Sequence, residues 1–231
     1  MGVLEATAAW LTASPTWQGP DGIPARLAEH LAISIPAVLL AFAIAFPAGA
    51  WVGHTGRFAR LAINLANLGR AVPSYAVLAI VLPISLRFSP DLGLSVIPTF
   101  TAMTLLAIPP ILVGTYAGIR GVDRELVEAA QGVGLRERQV LTQLELPLAL
   151  PVVIGGLRTA AVQVVATATL GAVVAYGGLG RYIVDGIARN DDARLLGGVI
   201  LVAGLALAVE GALALAQRAL QPRGLRLAAA G

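Results

Sequence analysis

Long apolar runs without charges alternate with short polar segments along this chain. No acidic residue or arginine lies between Glu29 and Arg57, or between Asp91 and Arg120. A helix that crosses a bilayer needs roughly 20 mostly apolar residues, and both intervals exceed that length. The pattern therefore predicts an all-α integral membrane protein. The predicted transmembrane helices are Leu31–Val52, Leu61–Leu86, Leu94–Ile119, Leu148–Tyr176 and Leu195–Ala216.

Two of these spans are less regular, because Arg70 interrupts the second and Arg158 the fourth. Prolines also occur inside the first four spans. Proline frees a backbone carbonyl, which membrane proteins tolerate where neighbouring helices or a wet cavity satisfy it. Bent helices that line a cavity are one interpretation. The other is that membrane helices simply contain more proline and glycine than soluble helices do.

The polar segments between the spans predict the orientation and the domain limits. With the N-terminus outside, nine arginines fall in inner segments and five in outer ones, as the positive-inside rule favours. The segment between the third and fourth spans and the C-terminus then face the cytoplasm. We expect residues 1–24 to form an extracytoplasmic or interfacial leader, residues 25–217 the transmembrane domain, and residues 218–231 a cytoplasmic tail. The leader begins without a basic stretch, so no cleaved signal peptide is predicted.

Composition excludes several classes of function. The chain is 57% hydrophobic and 13% charged, whereas soluble domains average about a quarter charged residues. It has no cysteine, which excludes disulfides and cysteine-based metal sites. It has no lysine, which excludes a Walker A phosphate loop, so any ATP that drives this protein binds to another chain. The net charge of +3 suits a membrane protein with basic inner loops better than a nucleic-acid binder. Paired acid–base candidates in the spans and a GxSxG nucleophile are lacking, so we predict neither an enzyme nor a cofactor.

The stretch EAAQGVGLRERQVLTQLELP, residues 128–147, is the most polar long segment of the chain, and we call it the signature segment. Asp123 is placed to cap a helix in which Leu126, Val127 and Ala130 share one side. Gly132 and Gly134 are expected to end that helix. A second short helix follows over residues 136–145, and Pro147 should break it at Leu146 and restart it as a span. The predicted helix, glycine turn and helix form a docking element on the membrane surface.

Residue spacing in the signature segment resembles a known family. Glu-Ala-Ala is followed by three residues, a glycine, nine residues, an aliphatic residue, one residue and Leu-Pro. This pattern is similar to the cytoplasmic signature of permease subunits of binding-protein-dependent type I ABC importers. An ordinary amphipathic connector is the alternative interpretation. The residues expected in the ATPase-coupling loop are Glu128, Ala129, Ala130, Gly134, Leu135, Arg136, Leu144, Leu146 and Pro147.

The resemblance extends from about Trp17 to the last span. WQGPDGIPARLAEHL, RAVPSYAVLAIVLP, TYAGIRGVD and RTAAVQVVATATLGAVVAYGGLGRYI resemble the subfamily that imports glycine betaine, choline, carnitine and related osmoprotectants. An importer of another small solute, such as an amino acid, remains an alternative, as does an ATP-independent channel or scaffold. The chain is expected to bend at Gly177–Gly180, on the outer face, after the fourth span. The short segment that follows this bend could meet the binding protein.

The family resemblance implies partners, a location and a mechanism. The implied partners are cytoplasmic ABC ATPase subunits, an extracytoplasmic substrate-binding protein, a second permease chain that is either identical or paralogous, and membrane lipid, with no nucleic acid. The implied location is the inner membrane of a prokaryotic cell. In the family, ATP-driven closure of two ATPases draws the coupling helices together and switches the permease pair from inward-open to outward-open.

Several polar residues inside the predicted spans are candidates for the translocation pathway. Arg158 and Glu210 are expected either to pair with each other or to act separately, with Arg158 facing water and Glu210 reaching the inner interface. Tyr75 offers a ring face to a quaternary ammonium, although packing is the more ordinary role of a membrane tyrosine. His30 and His54, at opposite ends of the first span, are expected at the interfaces. The pathway candidates are Arg70, Ser74, Tyr75, Arg158, Thr167, Thr169 and Glu210.

Overall fold

The computed structural model describes residues 2–220, and every regular element among them is a helix. Short 3-10 turns occupy Ser14–Trp17 and Ala168–Val174, and a π-helical segment occupies Val140–Glu145. The α-helices are α1 (Val3–Thr12), α2 (Ile23–Thr55), α3 (Ala59–Ala71), α4 (Ser74–Phe88), α5 (Pro90–Gly93), α6 (Val96–Arg120), α7 (Arg124–Gly132), α8 (Glu137–Gln139), α9 (Leu146–Thr167), α10 (Gly180–Arg189) and α11 (Asp192–Leu220).

Four of the predicted spans correspond to helices that are long and apolar enough to cross a membrane. Helices α2, α6 and α11 contain or closely match the first, third and fifth predictions. The fourth corresponds to a continuous helical run over Glu137–Val174, which begins well before the predicted start. The all-α membrane architecture is therefore confirmed. Of the predicted tail, residues 221–231 lie outside the described residues.

The second predicted span, Leu61–Leu86, is divided between two helices. Helices α3 and α4 meet at 86°, which makes them a broken span or a re-entrant pair. The break falls at Val72, whose extended backbone precedes Pro73. A residue before proline is driven out of the α-helical region by contact with the proline ring. Polar residues also follow one side of α3, at Arg60, Asn64, Asn67 and Arg70, so this half is amphipathic rather than apolar all round.

Helix α6 lies at the centre of the bundle, between α2 and α9. Small residues allow the backbones to approach closely. A methyl group built on Gly114 would lie 2.8 Å from the Cα of Gly156, and one on Gly118 would lie 3.0 Å from the Ala149 carbonyl. Small residues at such crossings are typical of membrane helices, where close van der Waals packing replaces the hydrophobic drive.

The N-terminal leader packs on the bundle through its helix. Helix α1 contacts α11, and the Trp10 ring fills the space beside Gly197. The same ring makes an edge contact with Tyr182 of α10, at 5.1 Å between centroids. Helix α11 is otherwise the least buried of the long helices. The expected limits of leader and transmembrane domain remain predictions, and α2 begins at Ile23, two residues before the expected start of the transmembrane domain.

Substituting Gly156 by valine should destabilise the bundle, because its side chain would meet the Pro110 carbonyl and the Gly114 backbone. Overpacking of this kind costs about 1–3 kcal/mol. Gly155→Val is the matched control, since a side chain there meets open space. Thermal unfolding of the purified chain in detergent measures the difference. Equal midpoints for the two variants would contradict the close crossing of α6 and α9.

Candidate functional site

The first half of the signature segment is a capped helix that ends in a glycine turn. The Asp123 carboxylate accepts a hydrogen bond from the Glu125 amide at 2.9 Å and caps α7 as predicted. The Leu135 amide donates to the Ala130 carbonyl and the Gly134 amide to the Gln131 carbonyl, at 3.1 and 2.9 Å. These two bonds form a Schellman motif, whose left-handed position is Gly134 at φ +92°. Gly132 is the last helical residue and does not form the turn.

The second half continues into α9 without interruption, so the predicted break at Leu146 is wrong. Leu146 is α-helical, and its amide donates to the Leu141 carbonyl, five residues back. Pro147 has no amide hydrogen and its ring crowds the carbonyl four residues earlier. We attribute the π-helical turns before Pro147 to this crowding. A π-helical turn is wider than an α-helical one, so it leaves room for the crowded carbonyl and the helix continues. The signature segment is thus joined rigidly to the fourth span.

The predicted coupling residues divide between an exposed tip and a packed base. Glu128, Ala129, Gly134 and Arg136 are exposed, whereas the remaining five are partly buried. An apolar cluster of Val122, Val127 and Val140 packs against Ala130, Leu135 and Leu144 of the base. Leu146 packs against a second cluster, which contains Ala50 and Ile119. The expectation that Leu126 shares the inner side was wrong, because it is 50% exposed.

The tip carries an apolar stripe that faces solvent. Leu126, Ala129 and Val133 follow each other at spacings of three and four residues, which places them on one face of α7 and its C-terminal cap, Val133. Val133 is 79% exposed, a large value for a valine. The stripe is therefore available for contact with another surface.

A polar contact that the sequence did not reveal lies at the base. The His54 Nδ1 atom is 2.5 Å from a carboxylate oxygen of Glu145, and Glu145 is only 5% exposed. His54 lies in the last turn of α2, and its expected position at the membrane interface remains a prediction. A separation of 91 residues hides such a pair from sequence patterns. The pair borders a polar cleft of about 670 Å³ that three arginines and three glutamates line: Arg57, Arg120, Arg124, Glu128, Glu137 and Glu145.

Arg158 and Glu210 form an ion pair between α9 and α11, one of the two arrangements expected. Gln217 completes the group, because it accepts from Arg158 at 2.6 Å and donates to the Pro151 carbonyl at 2.9 Å. Sequence reasoning missed Gln217, although its position seven residues after Glu210 places it on the same face of α11. A charge within a bilayer needs a partner or water, and this cluster supplies the partner.

The other pathway candidates lie in two further places. Arg70, Ser74 and Tyr75 surround the bend between α3 and α4, and Tyr75 is exposed there. Thr167 and Thr169 lie at the end of α9, where the Thr169 hydroxyl donates to the Ala166 carbonyl at 2.9 Å. The structure thus divides the seven candidates into three groups, and their role in translocation remains a prediction.

The bundle end opposite the signature segment holds a second polar network. The predicted bend after the fourth span is present, and the Gly178 amide donates to the Glu29 carboxylate at 2.7 Å. Arg26 pairs with Glu29 and with Asp21. The Tyr182 hydroxyl of α10 donates to the Asp21 carbonyl at 2.6 Å, and burial raises the pKa of that hydroxyl. His30 is buried here and its Nε2 atom lies 2.9 Å from the Val165 carbonyl, while its expected position at the membrane interface remains a prediction.

Comparison with known proteins identifies the family. The profile described as "Binding-protein-dependent transport system inner membrane component" matches residues 31–226. This chain belongs to that family. It is a permease subunit, not an ATPase, and a multi-pass protein of a bacterial inner-membrane transporter. Membership implies an ATPase and a binding protein as its partners.

The permease resembles curated proteins along most of its length. It is 36% identical to the carnitine transport permease protein OpuCB of Listeria monocytogenes, over 88% of this chain and 90% of that one. It is 35% identical to the choline transport system permease protein OpuBB of Bacillus subtilis, over 86% and 88%. The glycine betaine/carnitine/choline transport system permease protein OpuCB of B. subtilis is 33% identical, over 87% and 89%.

A solved structure shares the fold of the permease. A chain of the MetNI methionine ABC transporter, in inward facing conformations, matches with a TM-score of 0.79. The match covers 91% of this permease and 100% of that chain, at 20% identity. The predicted type I ABC importer permease fold is confirmed.

Gly134→Ala should loosen the tip of the signature segment, because an L-residue in the left-handed region costs roughly 1–2 kcal/mol. Open space surrounds Gly134, so the cost is conformational and not steric. Gly132→Ala is the control, since alanine favours the helix that Gly132 ends. Hydrogen exchange of the amides in residues 128–136 should quicken only in the first variant. Unchanged exchange in Gly134→Ala would exclude the left-handed turn.

Arg158→Ala and Glu210→Ala should each lower substrate uptake, and the double variant should be no worse than the poorer single one. Each single change leaves a charge unpaired within the membrane, whereas the double change removes both charges. Uptake by cells that produce equal amounts of each variant measures this. Strictly additive losses would show that the two residues act separately.

Proposed function

We propose that this permease imports an osmoprotectant such as glycine betaine, choline or carnitine. The main support is sequence similarity: over most of its length the chain is 33–36% identical to permeases that are named for these compounds. The shared fold with a methionine transporter permease is too distant in sequence to favour an amino-acid substrate. Aromatic residues are only 5% of the chain, too few to suggest a high-affinity ammonium cage. Substrate selection therefore lies mainly in the binding protein.

We propose that the signature segment couples this permease to its ATPase. The exposed apolar stripe of Leu126, Ala129 and Val133 supplies a contact surface, and the continuous helix into α9 supplies a rigid connection. A flexible loop would absorb a displacement, whereas a continuous helix passes it on. The distribution of arginines supports a cytoplasmic position for this segment and an N-terminus on the outer side.

We propose that two permease chains, identical or paralogous, enclose the pathway, with no nucleic acid involved. The polar groups at the α3–α4 bend, at the end of α9 and between α9 and α11 are the candidates to line it. The exposed apolar faces of α3 and α4, which include Leu65, Leu68 and Ile80, are available to the second chain or to lipid. The network around Glu29 and α10 lies at the end where the binding protein would dock.

Reconstitution tests the proposed substrate. The permease, its ATPase and its binding protein are placed in liposomes, and uptake of labelled glycine betaine, choline, carnitine and methionine is measured with ATP inside. We expect ATP-dependent uptake of at least one quaternary ammonium compound and none of methionine. Uptake of methionine alone would move the permease to the amino-acid class. Uptake without ATP would indicate a channel.

Cross-linking tests the orientation and the coupling surface. The natural chain has no cysteine, so a single introduced thiol reports one position. Val133→Cys on the tip should cross-link to the ATPase, and Ile187→Cys on exposed α10 should cross-link to the binding protein. The two variants serve as controls for each other. The reverse pattern would invert the proposed orientation.

A further inference from the structure

We propose that the contact between His54 and Glu145 is a positioning link, which fastens the signature segment to the first span so that the two move together. The inference rests on the proposed coupling function of that segment. Neither residue touches substrate or nucleotide in this proposal. They act by fixing the angle between the coupling surface and α2.

Glu145 is a carboxylate in a buried position, where an apolar side chain is more usual. It is the last residue of the π-helical segment and is almost fully buried, between the coupling surface and the fourth span. Burying a charged carboxylate is costly unless it is paired and hydrogen-bonded. Within residues 2–220 its side-chain partner is His54, which belongs to a different span. An apolar side chain would fill this space without such a requirement, so the pair indicates a demand for one specific geometry.

His54 is held firmly enough to serve as the fixed end of the link. It lies in the last turn of α2, where the helix dipole favours a positive charge. The preceding residue, Gly53, approaches α6 so closely that an added methyl group would lie 2.9 Å from the Ile119 side chain. Helix α2 ends at Thr55, the residue after His54, and Gly56 caps it in the left-handed conformation. The imidazole is therefore fixed relative to both α2 and α6.

The pairing is selective among many nearby charges. Arg57, Arg120 and Arg124 line the same cleft, together with Glu128 and Glu137. Within the described part of the chain, none of these five residues forms an ion pair. Glu145 thus contacts the histidine and not one of three available arginines. The arginines stay free to meet charges of another molecule, whereas the His54–Glu145 pair is internal.

The link joins parts that the chain does not connect directly. The signature segment follows α6 and runs into α9, so both of those helices are attached to it covalently. Helix α2 is attached to it through side-chain contacts, and among residues 2–220 the His54–Glu145 pair is the polar contact between them. At its other end α2 holds the Gly178 bend through Glu29. With 33 residues, α2 is about 50 Å long, so it reaches from the proposed binding-protein side to the coupling surface.

The test uses the complete transporter in liposomes and compares substrate uptake with ATP hydrolysis. The variants are His54→Ala, Glu145→Ala, the double alanine variant, His54→Gln, and the exchanged pair His54→Glu with Glu145→His. We expect each single alanine variant to keep its ATPase partner and to hydrolyse ATP, while uptake per ATP falls about tenfold. The double variant should be no worse than the poorer single one, and the exchanged pair should recover uptake. The His54→Gln variant keeps a hydrogen-bond donor and should retain most of the wild-type uptake per ATP.

Thr55→Ala is the matched control, because Thr55 lines the same cleft but its hydroxyl makes only local hydrogen bonds, donating to the Trp51 carbonyl and accepting from the Arg57 amide. Its uptake per ATP should equal that of the wild type. If the alanine variants also keep the wild-type ratio, the link is overturned while the proposed function stands. If the wild type itself does not transport, the proposed function fails first. If the single variants lose assembly with the ATPase and the exchanged pair does not restore it, the contact serves folding alone and the proposal is overturned.

Discussion

The close approach of three helix backbones is the constraint on which the rest of this permease depends. Helix α6 can lie between α2 and α9 only because Gly49 leaves room for the α6 backbone on one side, and Gly114, Gly118 and Gly156 allow the crossing with α9 on the other. Lipid tails are as apolar as the helices themselves, so separation of the helices costs little in hydrophobic burial, and tight packing must supply the stability. The signature segment leaves α6 and enters α9. Its position therefore follows from a crossing that lies deep in the bundle.

The polar clusters of this permease also depend on helices that stay close together. Each cluster lies between two elements: Arg158, Glu210 and Gln217 between α9 and α11, and Glu29 with Gly178 between α2 and the outer bend. In hydrocarbon an unsatisfied polar group costs several kcal/mol, so such groups persist only where two elements stay together. They therefore mark the helix pairs whose separation the protein resists most strongly.

The sequence predicted those features whose causes are local. Length and hydropathy defined four long helices, and Asp123 and Gly134 defined a capped helix and its turn, because each acts on its immediate neighbours. The rule that proline disfavours a helix at the preceding residue holds at Val72, where the sequence pattern predicted no break, and fails at Leu146, where it predicted one. Before Pro73 the helix bends through 86°, whereas before Pro147 the chain adopts π-helical turns and continues. Only tertiary packing distinguishes these outcomes, and packing also brings His54 to Glu145 across 91 residues.

The π-helical segment also affects where the permease can change in length. Its wider turns accommodate one residue more than an α-helix of the same rise would. Loss of one residue between 140 and 145 would therefore let the segment relax to an ordinary helix and leave the parts on either side of it in nearly the same orientation. Loss of one residue from the α-helical part of α9 would instead rotate everything before it by about 100°. The number of residues in α9 is thus fixed by the direction that the coupling surface must face, whereas the π-helical segment can lose one residue and keep that direction.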